Sequence, residues 1–366
     1  MNRLQTPLTQ RLGIRFPLIQ APMAGGITTP ELVAAVSNSG GLGSLGAGYM
    51  TPEDLRRAIN AIRERTGAPF AVNLFIPEPV PVNAERIAQA NALLHPYRQE
   101  LGLSTQSPPI DNLPDFTEQL AVILEERVPV LSFTFGVLKG EALEAVKQQG
   151  IVTIGTATHL LEAIILEESG IDVVVAQGLE AGGHRGTFLG AQEQGLVGTM
   201  ALLPLLANHI RIPFVAAGGI MDGRGIAAAL ALGAAGAQMG TAFLACPESG
   251  AHAKYKEILC EGTEITTVLT RAFSGKLARG LKNRFTQEMA GHDAELPLYP
   301  IQHALTLGLR QAAARQERTE FMALWAGQGC PLCTGRSAAE LVGEWAMQAA
   351  TTLGGNPAPV LQKSNG

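Results

Sequence analysis

The chain has 366 residues, room for one α/β barrel of about 250 residues and an appendage of about a hundred. With 27 Lys+Arg against 32 Asp+Glu the formal net charge is -5, so no global basic field exists to hold a nucleic-acid backbone or an anionic membrane, and both partners are set aside. Charged residues are 16% and aromatic residues 5% while hydrophobic residues reach 46%, so the apolar mass is mainly small and aliphatic, as a deeply buried α/β core requires.

Residues 1–13 contain no apolar run of signal-peptide length, and nowhere do the roughly 18 apolar residues of a membrane span run together; the expectation is a cytoplasmic protein. From there short β-rich runs alternate with helical patterns: strand 17–21, helix 30–39, strand 42–45, helix 52–65 and strand 70–75. The alternation resumes with strands 129–134, 151–155, 172–177, 213–217 and 235–240, each pair separated by a helical segment. Runs such as Val173-Val174-Val175 and Phe214-Val215-Ala216-Ala217 are apolar on both faces, which a parallel sheet covered on both sides needs. The expected fold is therefore α/β, a (β/α)8 TIM barrel over 1–262. Two segments fall outside the repeat. A Pro-dense insertion at 76–114 is placed near the barrel mouth, and 263–353 reads as a smaller, mainly helical cap or substrate domain without a ninth strand. The tail 354–366, rich in Gly, Pro, Asn and Ser, is expected to be frayed.

In such barrels the chemistry sits at the C-terminal strand ends, so the residues just after each apolar run carry the information. They are small residues and amides: Ala21-Pro22-Met23-Ala24-Gly25-Gly26, Asn73, Gln177 running into Ala181-Gly182-Gly183-His184, Gly218-Gly219, and Gln238-Met239-Gly240-Thr241. Open backbone N–H groups after strands 7 and 8, with the positive end of the helix at 223–232, suit a phosphate. On spacing alone, Gly218-Gly219 could equally just turn a strand into a helix. Asn73, Gln177 and Gln238 could line the edge of a planar heterocycle or bond one another across the mouth. Gly41-Leu42-Gly43-Ser44-Leu45-Gly46 spells a dinucleotide fingerprint in the wrong context, since it follows a helix and leads into a strand; it reads as a helix cap and tight turn.

Of seven histidines, His95, His159, His209, His252, His292 and His303 have no paired ligands and read as surface groups. His184 alone follows a strand on flexible small residues, where an imidazole can face a planar cofactor and abstract a proton. Cys330 and Cys333 form a single C-x-x-C, and Cys246 and Cys260 do not complete a zinc set, so no metal is expected. Arg271, Lys276, Arg279, Lys282 and Arg284 make a local basic run, read either as a solvated cap face or as an attractor for a small anion at the mouth.

These residues resemble class I of the nitronate monooxygenases. The first motif of that class is similar to Ala21-Pro22-Met23-Ala24-Gly25-Gly26 through Val72-Asn73-Leu74-Phe75, and the second to Ser132-Phe133-Thr134-Phe135-Gly136. The third resembles 177–186, and the fourth Ala216-Ala217-Gly218-Gly219-Ile220 with Gln238-Met239-Gly240-Thr241. The resemblance implies FMN, with the Ala21, Pro22 and Met23 backbone near the ring, Asn73 and Gln177 as amide contacts, Gly182 beside the ring, and Gly219 with Gln238, Met239, Gly240 and Thr241 at the phosphate. It implies His184 as the base for neutral nitroalkanes, and an anionic nitronate such as propionate 3-nitronate oxidised with O2 without need of that base. In the cap, Lys276 and Tyr299 are the substrate-side candidates, and the chain is expected as a monomer or homodimer. Two alternatives are carried: an NAD(P)H-dependent FMN reductase of quinones or enoyl thioesters, and a non-catalytic barrel that binds FMN or a phosphorylated metabolite.

Overall fold

The computed structural model describes residues 3–110, 113–261 and 266–355. Helix α1 (Pro7–Leu12) leads into β1 (Leu18–Gln20), α2 (Pro30–Asn38), β2 (Gly43–Gly46), α3 (Pro52–Arg63) and β3 (Phe70–Phe75). Two helices follow, α4 (Ala84–Glu100) and α5 (Phe116–Glu125), before β4 (Val130–Thr134), α6 (Gly140–Gln148), β5 (Val152–Ala157), α7 (Leu160–Glu168) and β6 (Val173–Gln177). A two-residue strand β7 (Gly183–His184) precedes α8 (Thr199–His209), β8 (Phe214–Ala217), α9 (Gly223–Ala231) and β9 (Gly236–Met239). The remainder holds α10 (Ala253–Glu261), the strands β10 (Thr267–Thr270) and β11 (Ala278–Leu281), α11 (Arg284–Glu288), α12 (Ile301–Arg315) and α13 (Ala338–Leu353).

Eight strands form one parallel sheet in the order β1-β9-β8-β6-β5-β4-β3-β2. A parallel bridge between Ile19 and Leu42, with the Gln20 N–H on the Leu42 carbonyl at 2.9 Å, joins its two edges into the expected barrel. The eight strands read from the sequence are these eight, and the glycine-rich stretch 41–46 runs from the turn after α2 through β2, where a Cβ on Gly43 would stand 2.1 Å from the Val33 carbonyl.

Alternation along the strands sends one set of side chains inward. Low in the barrel this set is apolar: Ile19, Ala71, Val130, Ile154, Val173 and Val215 cluster there, with Leu8 and Leu12 of α1 plugging the bottom. Further along the strands, two residues on in β3, β4 and β5 and four in β6, the inward positions turn polar, giving Asn73, Ser132, Thr156 and Gln177, so the barrel is sealed below and open to chemistry above. The outward set, including Val72, Leu131, Val174 and Ala216, packs on the helices.

The C-terminal segment differs from the expectation in two ways. Thr267-Val268-Leu269-Thr270 and 278–281 form an antiparallel hairpin, which extends by β11 onto β7. β10, Thr-Val-Leu-Thr, is only four residues long, and β11, Ala-Arg-Gly-Leu, has no β-branched residue, so neither gives a period that overrules the helical pattern around it in sequence. The last helix, α13, packs against α9 and α2 and so takes the eighth place in the ring of barrel helices, with Trp345 edge-on to Phe243 at 5.2 Å. The cap-like material is the hairpin with α11 and α12, joined to the insertion by Arg98, whose guanidinium donates to the Leu305 carbonyl at 3.0 Å, and by Gln316, which donates to the Leu101 carbonyl at 3.0 Å. The boundary expected at 262/263 and the tail beyond 355 lie outside the described residues. No helix among the described residues is long and apolar enough to cross a membrane.

Leu8 is fully buried in the barrel floor. Leu8→Ala is expected to cost about 2–5 kcal/mol, because the ring of strands cannot collapse into the space; denaturant unfolding checks it, and a change under 1 kcal/mol would show that α1 is not part of the core.

Candidate active site

A cavity of about 650 Å³ opens at the C-terminal ends of the strands, a volume in the range of sites that take a small molecule or cofactor. Of the residues singled out in the sequence it is lined by Ala21, Pro22, Met23, Asn73, Gln177, Gly182, His184, Gly219, Gln238, Gly240 and Thr241. Met239 is absent from the lining: its side chain is buried in the core and its carbonyl accepts from the Ala21 N–H at 2.9 Å. Lys276 and Tyr299 stand behind the first layer. The Lys276 ammonium lies 4.6 Å from the centre of the Phe135 ring, and Tyr299 lies 6.1 Å from the His184 ring, centroid to centroid.

His184 is fixed from three directions. Its backbone pairs with Ala278 of the hairpin, its carbonyl accepts from Gln177 Nε2 at 3.0 Å, and its ring Nε2 lies 2.8 Å from Ser274 Oγ. While the Ser274 hydroxyl gives its proton to the Lys276 carbonyl at 3.1 Å, His184 donates through Nε2 and its lone pair sits on Nδ1. Phe135, Tyr299 and Trp325 surround the ring. Burial, then the charges of Lys276 and Arg310, push its pKa down to about 3, so the imidazole is neutral across the physiological range. Phe135 has φ 74, in the left-handed region that bulky residues avoid, and this turns its ring into the cavity while Gly136 clears Ile76.

The amides do not bond one another. Asn73 Nδ2 donates to Ser132 Oγ at 3.0 Å; Gln177 is spent on the loop, giving Nε2 to His184 and accepting the Gly186 N–H at 2.8 Å. Arg185, fully buried, donates to the carbonyls of Gly178, Gln177 and Gly195 at 2.7–2.9 Å and locks the same loop, a role no sequence pattern announced.

The expected phosphate site needs a correction. The N-terminus of α9 is already satisfied: Asp222 accepts from Arg224 N and Gly225 N, and Gly223 N donates to Gln348 Oε1 of α13 at 3.0 Å. A carboxylate cap cancels the positive end that an anion would use. The glycine turns remain: Gly218 and Gly219 have φ 114 and 73, and the backbone N–H groups of Gly219 and Gly240 donate to no group among the described residues. A Cβ on Gly182 would stand 2.5 Å from Gly327 N, so the loop can pass flat along the cavity wall only as glycine. A planar ring along Ala21-Pro22-Met23 and Gly182 with an anion at Gly219 and Gly240 fits these residues.

The basic run disperses. Arg271 pairs with Glu193 and Asp293, Arg284 with Glu100 and Glu288, and Arg279 donates to the Leu179 carbonyl, leaving Lys276 as its member near the site. His303, expected at the surface, is buried, lines the cavity and stacks on Tyr49 at 4.4 Å. Tyr49, Ser274, Arg310 and Trp325 were not singled out in the sequence; Arg310 lies on a helical face whose stripe His303, Leu307, Gln311 and Ala314 looks like ordinary amphipathic patterning. Cys333 Sγ donates to the Thr241 carbonyl at 3.2 Å, and among the described residues no cluster of His, Cys, Asp and Glu could hold a metal.

Comparison with known proteins places this geometry. The nitronate monooxygenase family model matches residues 5–346. The chain belongs to the nitronate monooxygenase family. It is 45% identical over 348 residues to a probable nitronate monooxygenase of Staphylococcus haemolyticus, covering 94% of this chain and 97% of that one. Among solved structures, nitroalkane oxidase from Streptomyces ansochromogenes superposes with a TM-score of 0.88 at 42% identity, covering 94% of this chain and 99% of the other. FabK from Thermotoga maritima follows at 0.75 and 31%, covering 96% and 98%. The family makes the chain an oxidoreductase acting on nitronates or nitroalkanes.

A histidine held neutral by its surroundings draws stability away from acid. The unfolded chain protonates His184 near 6.5 and the folded one near 3, so the unfolded state binds more protons in between; its contribution is complete above pH 6.5 and is lost as pH falls toward 3. His303, pushed down to about 2 by burial and by Arg310 and His184, acts in the same sense. The midpoint of thermal unfolding is expected to fall between pH 6.5 and 4.5 less steeply in His303→Asn than in the wild type, and parallel slopes would refute the assignment.

Proposed function

We propose that this chain binds FMN and oxidises alkyl nitronates, propionate 3-nitronate among them, with O2, releasing a carbonyl compound and an inorganic nitrogen oxyanion. The observation that carries the reading is the neutral His184 facing the strand-end cavity, with the cations Lys276 and Arg310 near enough to act on it. When bound, FMN supplies one-electron oxidation and the route to dioxygen.

The residues that would hold FMN are the backbone of Ala21, Pro22 and Met23, the amides of Asn73 and Gln238, Gly182, and for the phosphate Gly219, Gly240 and Thr241, while Gln177 holds the His184 loop beside them. Asn73 and Gln238 keep capacity for this, since Asn73 Oδ1 and the whole Gln238 amide bond to no group among the described residues. The chain's own work is positional. His184 takes the proton from the carbon next to the nitro group of a neutral nitroalkane through the nitrogen that Ser274 leaves with a lone pair. Lys276 and Arg310 attract the anion, and the rings of Phe135, Tyr299 and Trp325 keep the reacting carbon away from water. A substrate that arrives as a nitronate has already lost that proton and needs only the pocket.

The likeness to FabK keeps one second reading in play, an NAD(P)H-dependent reductase. The experiment is the visible spectrum of the purified protein mixed anaerobically with propionate 3-nitronate and, separately, with NADH. A flavin spectrum that changes with the nitronate and not with NADH is expected; bleaching by NADH alone would overturn the reading in favour of the reductase. His184→Asn is expected to lower turnover of nitroethane by about 10²–10⁴-fold and that of propionate 3-nitronate by less than about tenfold. Equal losses would remove the base from His184.

A further inference from the structure

One fully buried carboxylate stands outside the cavity and serves the loop that leaves it. Glu162, in the first turn of α7, has no exposed surface and is absent from the cavity lining. Among the described residues no lysine or arginine forms an ion pair with it, and His159 Nε2 stands 3.7 Å away. Taking a carboxylate out of water is costly unless hydrogen bonds replace its hydration. Four donors do so here. Oε2 accepts the Thr158 N–H at 2.6 Å and the Thr158 hydroxyl at 2.8 Å, and Oε1 accepts the N–H groups of Phe188 and Leu189 at 2.5 and 2.9 Å.

An acidic residue in a first helical turn ordinarily serves the positive end of its own helix. Glu162 gives one whole oxygen to Phe188 and Leu189 instead, a few residues beyond His184. Hydroxyls tie the same corner. Because Thr158 gives its proton to Glu162, the Thr187 hydroxyl donates to Thr158, Oγ1 to Oγ1 at 2.9 Å. The chain from Thr187 to Leu189 is thus fastened to the start of α7.

Both strands of the β7–β11 pair depend on this anchor. Towards β7 the link is short and tight: a Cβ on Gly186 would stand 2.7 Å from Thr156 Cγ2, and the Gly186 N–H is held by Gln177, so a shift at 187–189 is carried back to His184. Towards β11 the loop continues into Gln192, whose Oε1 accepts the Leu277 N–H at 2.7 Å, and Glu193, which pairs with Arg271 at 2.6 Å. The Leu277 carbonyl in turn accepts the Arg185 N–H at 2.8 Å.

We propose that Glu162 is a positioning residue for proton abstraction: by holding the backbone at 187–189 it fixes the loop and the hairpin between which the His184 ring is set. The inference rests on the base role proposed for His184 and extends that machinery to a residue that touches no substrate.

The test uses Glu162→Gln, which keeps the size of the side chain and turns one acceptor oxygen into an amide that faces other donors. The kcat for nitroethane, which needs the base, is expected to fall about 100-fold with KM changed less than about threefold, while kcat/KM for propionate 3-nitronate, which does not, falls by no more than about threefold. Glu162→Asp, which keeps both oxygens, should recover at least about tenfold of the loss. Equal losses on the two substrates would overturn the proposal, since a residue needed only for the stability of α7 removes both activities together; so would unchanged turnover of both. Amide hydrogen exchange gives a reading independent of turnover. In the flavin-loaded wild type the Phe188 and Leu189 amides are expected to be protected to within about tenfold of those of β6, and exchange at the rate of an open loop would overturn the proposal even if no variant folds. In Glu162→Gln both 184–189 and 278–281 are expected to exchange at least about tenfold faster while β3 and β4 are unchanged. Loosening confined to 187–189 would refute the coupling to the base. Should the wild type turn over neither substrate, the base reading fails while the exchange pattern still decides whether Glu162 holds the loop.

Discussion

Everything at the barrel mouth depends on how His184 is held. The residue sits on a two-residue strand with no hydrophobic face of its own, and such a segment would not stay extended alone. It is extended because β11 pairs with it from one side and Gln177, at the end of β6, binds its carbonyl from the other. Arg185, the next residue, anchors the loop underneath through three carbonyls. The imidazole therefore belongs to the barrel and to the hairpin at once, and Ser274, four residues before β11, fixes the ring from the same side. A histidine placed this way has one orientation and one basic nitrogen, so its chemistry is set by backbone pairing as much as by its own side chain.

The second constraint is the polarity gradient inside the barrel. The inward-facing positions change from Ala71 to Asn73, from Val130 to Ser132, from Ile154 to Thr156 and from Val175 to Gln177, each a step of two residues along a strand. Below the step the side chains exclude water and close on α1; above it they offer hydroxyls and amides to a ligand. Asn73 pairs with Ser132, but Ser132 pairs with Ile154 and Thr156 with Val175, so the polar step moves two residues along the strand at β5 and again at β6. The place of α13 follows from the same geometry. Its apolar stripe, Leu341, Val342, Trp345 and Ala349, fills the gap between α9 and α2, so the chain returns to finish the helix ring only after about a hundred residues have been spent above the mouth.

The eight strands and the small or amide residues at their ends were legible in the sequence because they obey local rules: apolar runs of strand length, and glycine where the backbone turns. The cap-and-turn character of Gly41 to Gly46 was likewise legible from its order after α2 and into β2. What was not legible is what depends on distance in the chain. The pairing of β7 with β11 joins segments about 95 residues apart, and two residues carry no periodicity. Asp222 was not singled out in the sequence, yet as the cap of α9 it removes the positive helix end on which the phosphate reading partly rested. His303 and Arg310 lie on a helix whose exposed and buried faces alternate normally, and only the position of α12 over the mouth makes their stripe part of the site.

The electrostatics of the site make the base and the anion interdependent. In the protein alone, burial is the main cause that keeps a proton off His184, and Lys276 and Arg310 add to it in the same direction. On the role proposed for His184, an anion lodged between these cations would cancel their effect on the imidazole, and the proton His184 would remove leaves the substrate as an anion in the same place. Base strength is thus lowest when the cavity holds no charge and rises as the product of deprotonation forms. The cations act later than the base: they do little for a neutral nitroalkane on arrival and most for the nitronate it becomes, so the same two residues that weaken His184 at rest favour the direction of its proton transfer. Under the same proposal a substrate that enters already charged would meet this field without needing the base, so one pocket would serve both forms.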